Sequence, residues 1–132
     1  MKQLPEEMKG WYFPFNWQVS DIWDLEGTIE SRRIIDLEWH LDIPFWSSER
    51  GKGMTFDLKP GEVINNPLFN VYHYNRLIDS DLSYPLCLTK YKGREIIIDG
   101  IHRLAKLKLH NMESVKVKVI DEKQIQNIAI SA

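Results

Sequence analysis

The chain has 132 residues, of which 43% are hydrophobic and 27% are charged, as expected for one globular domain with its own core. Its formal net charge of −2 argues against a basic surface for bulk nucleic-acid binding. The single cysteine, Cys87, excludes an intramolecular disulfide, and no apolar run approaches the ~20 residues of a membrane-spanning helix. Because acidic residues also stand where a signal peptide is apolar, we expect a cytoplasmic protein without a membrane partner.

The first 30 residues are predicted to form an aromatic N-terminal arm. Pro5 and Pro14 interrupt regular secondary structure in its first half. Ser20 is a candidate N-cap for a short helix over Asp21–Leu25. Gly27 is expected to end that helix.

The tryptophans are concentrated at the N-terminal end of the chain. Large aromatic side chains bury much area, so the favoured interpretation is that they close over a small core. The alternative is a docking surface for a protein partner, where tryptophan is enriched. The residues are Trp11, Trp17, Trp23, Trp39 and Trp46.

The segment that follows is less regular. Arg32–Leu37 is rich in isoleucine and is a plausible first strand, whereas Asp36–Asp42 could instead carry a helical turn before Pro44. Glu49–Gly53 (ERGKG) is predicted to be a lid or a turn. It is no P-loop, because the motif G-x-x-x-x-G-K-[ST] needs a lysine after its second glycine, and Met54 follows Gly53 here.

Two successive helices are predicted next, each with a proline in its first turn. Pro60 begins the first and Pro67 the second, for which Asn66 is a candidate cap. The helical period places Val71, Tyr74 and Ile78 on one apolar face. The opposite face carries Tyr72, Asn75, Arg76 and Asp79.

The last third is predicted to be a strand–turn–strand–helix–strand unit. Its elements are strands over Leu86–Lys90, Glu95–Ile98 and Ser114–Ile120, a turn at Lys92-Gly93, and a helix from Gly100 to about His110 that ends at Asn111. A βαβ-like crossover on one sheet is expected, with a peripheral tail from Asp121. The fold class is α/β (α+β): one compact domain over 1–132, with a small mixed sheet and flanking helices.

The turn between the second of these strands and the helix carries the candidate chemistry (Ile96–Lys106, IIIDGIHRLAK). A helix N-terminus favours anions, and Gly100 permits close approach of the backbone. Arg103 can grip phosphate oxygens, His102 can donate or accept a proton, and Asp99 can act as a general base or orient a hydroxyl. His102, Arg103, Lys106 and His110 share one arc of the helix and form a basic stripe.

Each of these residues also has a structural explanation. Asp99 could merely cap the helix, and His102 could be a solvated surface residue. Arg103 could pair with Glu95 or with Asp99. The combination D-G-x-H-R between a β-branched strand and an amphipathic helix favours the functional interpretation.

The run Leu82–Ile120 (LSYPLCLTKYKGREIIIDGIHRLAKLKLHNMESVKVKVI) resembles the core of the ParB/sulfiredoxin superfamily, with its motif over 83–120. The shared pattern is a Pro–apolar strand, a turn, a strand ending in D-G or G-G, and a helix opening with x-[HR]-R. Asp42–Trp46 and Asn66–Pro85 also resemble small stand-alone members. Known branches are partition proteins that hydrolyse CTP, sulfiredoxins that use ATP, and a free-serine kinase.

The resemblance implies a nucleoside phosphate, ATP or CTP, held at the helix start together with Mg²⁺. By position, Gly100, Ile101, His102 and Arg103 are expected to contact phosphate. Asp99 stands where the kinase branch has an acidic catalytic residue.

The sequence differs from two branches of the superfamily at positions that their activities require. Sulfiredoxins need a cysteine immediately before their His-Arg pair, where this chain has Ile101, and Cys87 lies on the preceding strand. Partition proteins carry a helix-turn-helix domain and a dimerisation tail that do not follow here before Ala132. We therefore expect neither sulfinic acid reduction nor centromere binding.

Further candidates lie upstream of the motif. Arg76, three residues after His73, is a second phosphate candidate, because the resemblance implies that this helix borders the ligand cleft. A solvated helix face is the alternative. Ser83 could cap or contact the ligand. Glu38, His40 and Asp42 alternate in a way that could supply metal ligands or could arise by chance on an exposed strand, and we predict no metal site there.

The leading hypothesis is a nucleotide-binding domain that acts as a phosphotransferase or NTPase, with Asp99 and His102 as catalytic residues. The alternative is a non-catalytic interaction module that docks a protein through its tryptophan-rich N-terminal half. Nucleic-acid binding through Lys116 and Lys118 is a third hypothesis, and the acidic balance of the chain counts against it.

Overall fold

A computed structural model describes residues 4–47 and 56–130. In these ranges the strands are β1 (Thr28–Arg33), β2 (Leu86–Tyr91), β3 (Arg94–Asp99) and β4 (Ser114–Val119), and the helices are α1 (Val19–Trp23), α2 (Ile34–Leu37), α3 (Pro60–Asn65), α4 (Val71–Asp79), α5 (Ile101–Leu109) and α6 (Glu122–Asn127). Two 3₁₀ helices cover Glu38–Asp42 and Pro67–Phe69. The strands form one mixed sheet in the order β1-β4-β2-β3, which confirms the predicted α+β class.

The C-terminal unit follows the sequence prediction closely, apart from its crossover. Lys92 and Gly93 both have positive φ, of 52° and 81°, as expected for a tight hairpin turn between β2 and β3. Strand β2 is antiparallel to β3 and parallel to β4. The βαβ-like crossover was therefore wrong in detail: α5 leads from the edge strand β3 past β2 to β4, and β3 and β4 run in opposite directions.

The predicted first strand was wrong in position. Strand β1 ends at Arg33, and Ile34–Leu37 is helical. Ile34 and Leu37 are buried at an i, i+3 spacing, whereas Ile35 is 65% exposed. Burial of one helical face therefore outweighs the strand preference of adjacent isoleucines. The alternative, a helical turn before Pro44, is confirmed by the 3₁₀ helix that follows.

Both peripheral segments of the prediction contribute to the core. In the aromatic arm Met8 and Phe13 are fully buried, and α1 begins at Val19 without the predicted Ser20 cap. Beyond Asp121, α6 buries Ile125 completely, and Ile130 pairs with Asn16 of the arm. The tail from Asp121 is thus not peripheral, because it packs against the sheet beside the arm.

Helix α4 presents a different face to the core from the one predicted. His73 and Leu77 are buried, whereas Val71 and Ile78 are 52% and 37% exposed. Pro67 begins only a three-residue 3₁₀ helix, and no side-chain cap forms at Asn66. The helical period was correct, but the polar His73 lies on the buried face because its ring nitrogens have partners.

Helix α5 is central to the helical layer and contacts α3, α4 and the 3₁₀ helix at Glu38–Asp42. Leu104, Ala105 and Leu107 are its buried residues. The ERGKG segment, Glu49–Gly53, lies outside the described residues. No helix in the described part of the chain is long and apolar enough to cross a membrane.

Candidate functional site

A cleft of about 730 Å³ opens at the N-terminus of α5. Residues from α1, α4, β2, β3 and β4 complete its walls. All the predicted site residues line it except Ser83: the lining includes Arg76, Asp99, Gly100, Ile101, His102 and Arg103. The sequence motif and the cavity therefore coincide.

Gly100 is required by the geometry of this turn. Its φ is +113°, a conformation that L side chains rarely adopt. A β-carbon there would lie 2.7 Å from Leu86 Cδ2 and 3.1 Å from the Arg103 guanidinium. Since the N-cap position has no side chain, no side-chain hydrogen bond caps the first turn of α5. The amides of that turn remain available to an anion.

Arg103 ties the helix start to the sheet. Its Nη1 donates to the Pro85 carbonyl at 2.7 Å, and its Nη2 donates to Asp99 Oδ2 at 2.8 Å. Trp23 Nε1 donates to the same Asp99 oxygen at 3.0 Å. The pairing of Arg103 with Asp99, considered as a structural explanation, is thus present. Asp99 retains its second carboxylate oxygen for a ligand.

The basic stripe predicted along α5 is used for structure. Lys106 donates to the carbonyls of Ile78 and Ser80, at 2.6 and 2.9 Å. Those carbonyls lie at the C-terminal end of α4, where a cation is favourable. Lys118, which also lines the cleft, donates in the same way to the Leu25 carbonyl after α1, at 2.8 Å. Both ammonium groups therefore fix neighbouring helices.

Arg76 differs from these cations. Its guanidinium carbon lies 5.8 Å from the centre of the Tyr72 ring. No hydrogen bond or ion pair joins it to any residue in the described ranges. Arg76 lines the cleft, so its donors are available to a phosphate there.

His102 is neither solvated nor a simple cationic ligand. Its ring stacks on Trp46, with the ring centres 4.1 Å apart and the planes 15° apart. The ring of His73 stacks on the same indole at 4.8 Å and 3°. His102 Nε2 lies 3.4 Å from His73 Nδ1, and His73 Nε2 lies 2.8 Å from the Ser47 carbonyl oxygen.

The surroundings of this pair hold both imidazoles neutral. Burial, the charge of Arg76 and the proximity of His73, in that order of size, together lower the pKa of His102 to about 3. Burial also lowers the pKa of His73, although the hydrogen bond to Ser47 opposes that effect. The prediction that His102 is a proton-transfer residue therefore applies to a neutral ring at pH 7.

One predicted site residue, Ser83, lies outside the cleft lining. Ser83 donates through its amide and its hydroxyl to Asp81 Oδ1, at 2.9 and 2.6 Å, in a local turn. These hydrogen bonds lower the pKa of Asp81. Tyr84 and Pro85 line the cleft beside this turn.

His40 is a core residue and not a metal ligand. Its Nδ1 lies 2.7 Å from the Leu37 carbonyl oxygen, and its Nε2 accepts from the Ile97 amide at 3.0 Å. Both nitrogens are used within the protein, so His40 has no lone pair to offer a metal ion. Within the described ranges, no group of three or more His, Cys, Asp or Glu side chains is arranged to hold a metal ion.

Cys87 lines the cleft but is a poor nucleophile. The thiol is buried and unpaired. Burial and the nearby Asp99 carboxylate raise its pKa, so the reactive thiolate is disfavoured.

Sequence reasoning did not identify two aromatic residues at the cleft. Trp23 and Tyr84 line it and are each 63% exposed. The concentration of tryptophans drew attention to Trp23 only as one of a group. Nothing in the local sequence indicates that α1 reaches the start of α5.

Comparison with family models, with curated proteins and with solved structures finds no match to this chain.

Proposed function

We propose that the cleft binds a nucleoside phosphate, ATP or CTP, with Mg²⁺, and that the domain is a phosphotransferase or NTPase of the cytoplasm. The observation that carries the proposal is the convergence on one cleft of the uncapped α5 N-terminus, Gly100 and Arg76, which has no hydrogen bond or ion pair within the described ranges. A volume of about 730 Å³ lies within the range usual for cofactor sites.

The phosphate end of the ligand is assigned to the start of α5. The first-turn amides and the helix dipole favour an anion, and Gly100 lets the backbone approach it. Arg76 supplies a guanidinium from the facing helix. Arg103 can contribute a donor that remains beside its bonds to Asp99 and Pro85.

The base end is assigned to the exposed aromatic residues. Trp23 and Tyr84 offer ring faces on which a nucleobase can stack. The bond from Trp23 Nε1 to Asp99 fixes the indole at the wall, so stacking costs little extra ordering.

The lining also suits Mg²⁺ that arrives with the nucleotide. Magnesium is usually held by one or two carboxylates together with substrate phosphates, so a complete protein cage is not needed. Asp79 and Asp81 line the cleft, and Asp99 has one carboxylate oxygen outside its bonds to Arg103 and Trp23. When bound, the ion would neutralise phosphate charge.

The test is a thermal-shift panel of ATP, ADP, CTP, GTP and pyrophosphate, with and without Mg²⁺. A ligand at about 100 times its dissociation constant adds roughly 2.7 kcal/mol to the free energy of unfolding, a rise of several degrees in Tm. We expect Arg76→Gln to lose the shift. Lys123→Gln is the matched control, since it removes one positive charge at an exposed position outside the cleft. A shift that persists in Arg76→Gln contradicts the assignment.

The alternative, a non-catalytic interaction module, is favoured by one observation. Leu68 and Phe69 are 87% and 90% exposed, which is unusual for large apolar side chains. Most of the tryptophans follow the favoured interpretation and leave little docking surface, because Trp46 is buried and Trp11, Trp17 and Trp39 pack against the core. No shift with any nucleotide, together with a concentration-dependent mass that Phe69→Ser abolishes, would favour this function.

A further inference from the structure

The imidazoles of His73 and His102 form a hydrogen-bonded pair that lies flat on one indole. Their ring centres are 5.6 Å apart with planes 18° apart, and both rings stack on Trp46. The rings thus lie side by side, and tilting either ring out of this plane would cost it its stacking on the indole.

The hydrogen bonds assign the protons of both rings. The Ser47 carbonyl oxygen can only accept, so His73 Nε2 must carry a proton and donate to it at 2.8 Å. In a neutral ring His73 Nδ1 is then an acceptor. His102 Nε2 therefore carries a proton and donates to it at 3.4 Å. The lone pair of His102 is left on Nδ1.

That lone pair has no partner among the described residues. No residue in the described ranges bonds to His102 Nδ1, and the buried side-chain polar atom without a partner in those ranges is Thr89 Oγ1. His102 lines the cleft, whereas His73, which accepts the hydrogen bond from His102 Nε2, does not. Nδ1 is the nitrogen that remains for the cleft.

We propose that His102 Nδ1 is the general base of the cleft for a hydroxyl-bearing acceptor, an alcohol or water, and that His73 is the residue that positions it. This inference rests on the proposed nucleotide function. With a nucleoside triphosphate bound, the acceptor oxygen forms a bond to the terminal phosphorus and its proton passes to Nδ1. The bond from that phosphorus to the bridging oxygen breaks, and the nucleoside diphosphate leaves with the electron pair.

The charges near His102 make this base dependent on the nucleotide. In the unliganded protein Arg76, on the facing helix, opposes a positive charge on the ring, as does burial. A bound phosphate would neutralise Arg76 and add negative charge beside the ring. The imidazolium formed by proton transfer is then favoured only in the ternary complex.

The proton positions can be observed without any nucleotide. In ¹⁵N-labelled protein at pH 7, two-bond ¹H–¹⁵N spectra of the imidazoles should show His73 and His102 each protonated on Nε2. His73→Phe keeps a ring on Trp46 but removes the acceptor, so His102 should lose its single tautomer. His73→Asn, which restores an acceptor oxygen, should recover part of the effect. His110→Phe, at an exposed position after α5, should change nothing.

Turnover tests the base itself. His102→Gln retains a donor near the Nε2 position but has no lone pair equivalent to Nδ1. We expect it to lose at least 100-fold in kcat at saturating nucleotide, the range for loss of a general base. His73→Phe should lose less in kcat and shift the pH profile, whereas a merely structural role would leave the profile unchanged.

Each outcome has one meaning. A proton on His102 Nδ1, or normal kcat in His102→Gln, overturns the base while nucleotide binding stands. Binding without turnover in wild type does the same. Failure of wild type to bind any nucleotide overturns the proposed function, and this inference with it.

Discussion

His40 and His102 show two uses of a buried histidine in one small domain. Burial lowers the pKa of both rings, to about 4 for His40 and about 3 for His102. His40 has both nitrogens satisfied, by Leu37 and the Ile97 amide, and is fully buried. His102 has one nitrogen without a partner in the described ranges and lines a cleft. A depressed pKa therefore does not by itself distinguish a core histidine from a candidate site residue, and the partners of the ring nitrogens are needed as well.

The largest expected effect is a difference in the free energy of unfolding between variants of His40 and of His102. His40→Ala should lower the free energy of unfolding by about 4 kcal/mol, because it opens a ring-sized cavity and leaves the Ile97 amide unpaired. His102→Gln should cost less than about 1 kcal/mol, since its ring is only partly buried. Urea denaturation at pH 7.5 measures both. Equal losses would break the distinction between a core ring and a cleft ring.

Acid should reveal the core histidine next. Since the pKa of His40 is about 4 in the folded state and about 6.5 when unfolded, the unfolded chain binds more protons between those pH values. Stability is therefore fully present above pH 6.5 and falls as the pH drops towards 4, by about 3 kcal/mol.

The measurement is the urea midpoint at several pH values between 7.5 and 4.5. The same series on His40→Ala is the control, because the slope that remains in that variant comes from other groups. The pKa values of His102 and His73 are also lowered, so both residues add to the fall of stability with decreasing pH. A stability that is flat between pH 7 and pH 5 would show that His40 is not held neutral.

The sequence predicted what is local and missed what is brought together from distant segments. The strand alternation at Ser114–Val119 and the Gly100 turn depend on neighbouring residues, and both were read correctly. The contact of Trp46 with His73 and His102 joins three separate segments. No periodicity indicates such a contact.

The basic stripe on α5 shows the same limit in another way. The helical period placed Lys106 correctly apart from the buried apolar residues of α5, but its partners are carbonyls at the end of α4. Arg103 was weighed as a partner of Asp99, and the structure contains that pair. Whether a cation binds a ligand or its own fold depends on which acceptors lie nearby, and sequence spacing does not give that information.

The two arginines of the cleft differ in the same way as the two histidines, since one supports the fold and the other is available to a ligand, but the expected difference in stability is smaller. Arg103→Ala should lower the free energy of unfolding by about 2 kcal/mol, because it removes donors from the Pro85 carbonyl and from an Asp99 side chain that is only 16% exposed. Arg76→Gln should change it by less than about 0.5 kcal/mol, since no described residue depends on that guanidinium. Urea denaturation without ligand measures both. A similar loss for the two variants would mean that Arg76 also supports the fold, and its effect on nucleotide binding would then no longer isolate a phosphate contact.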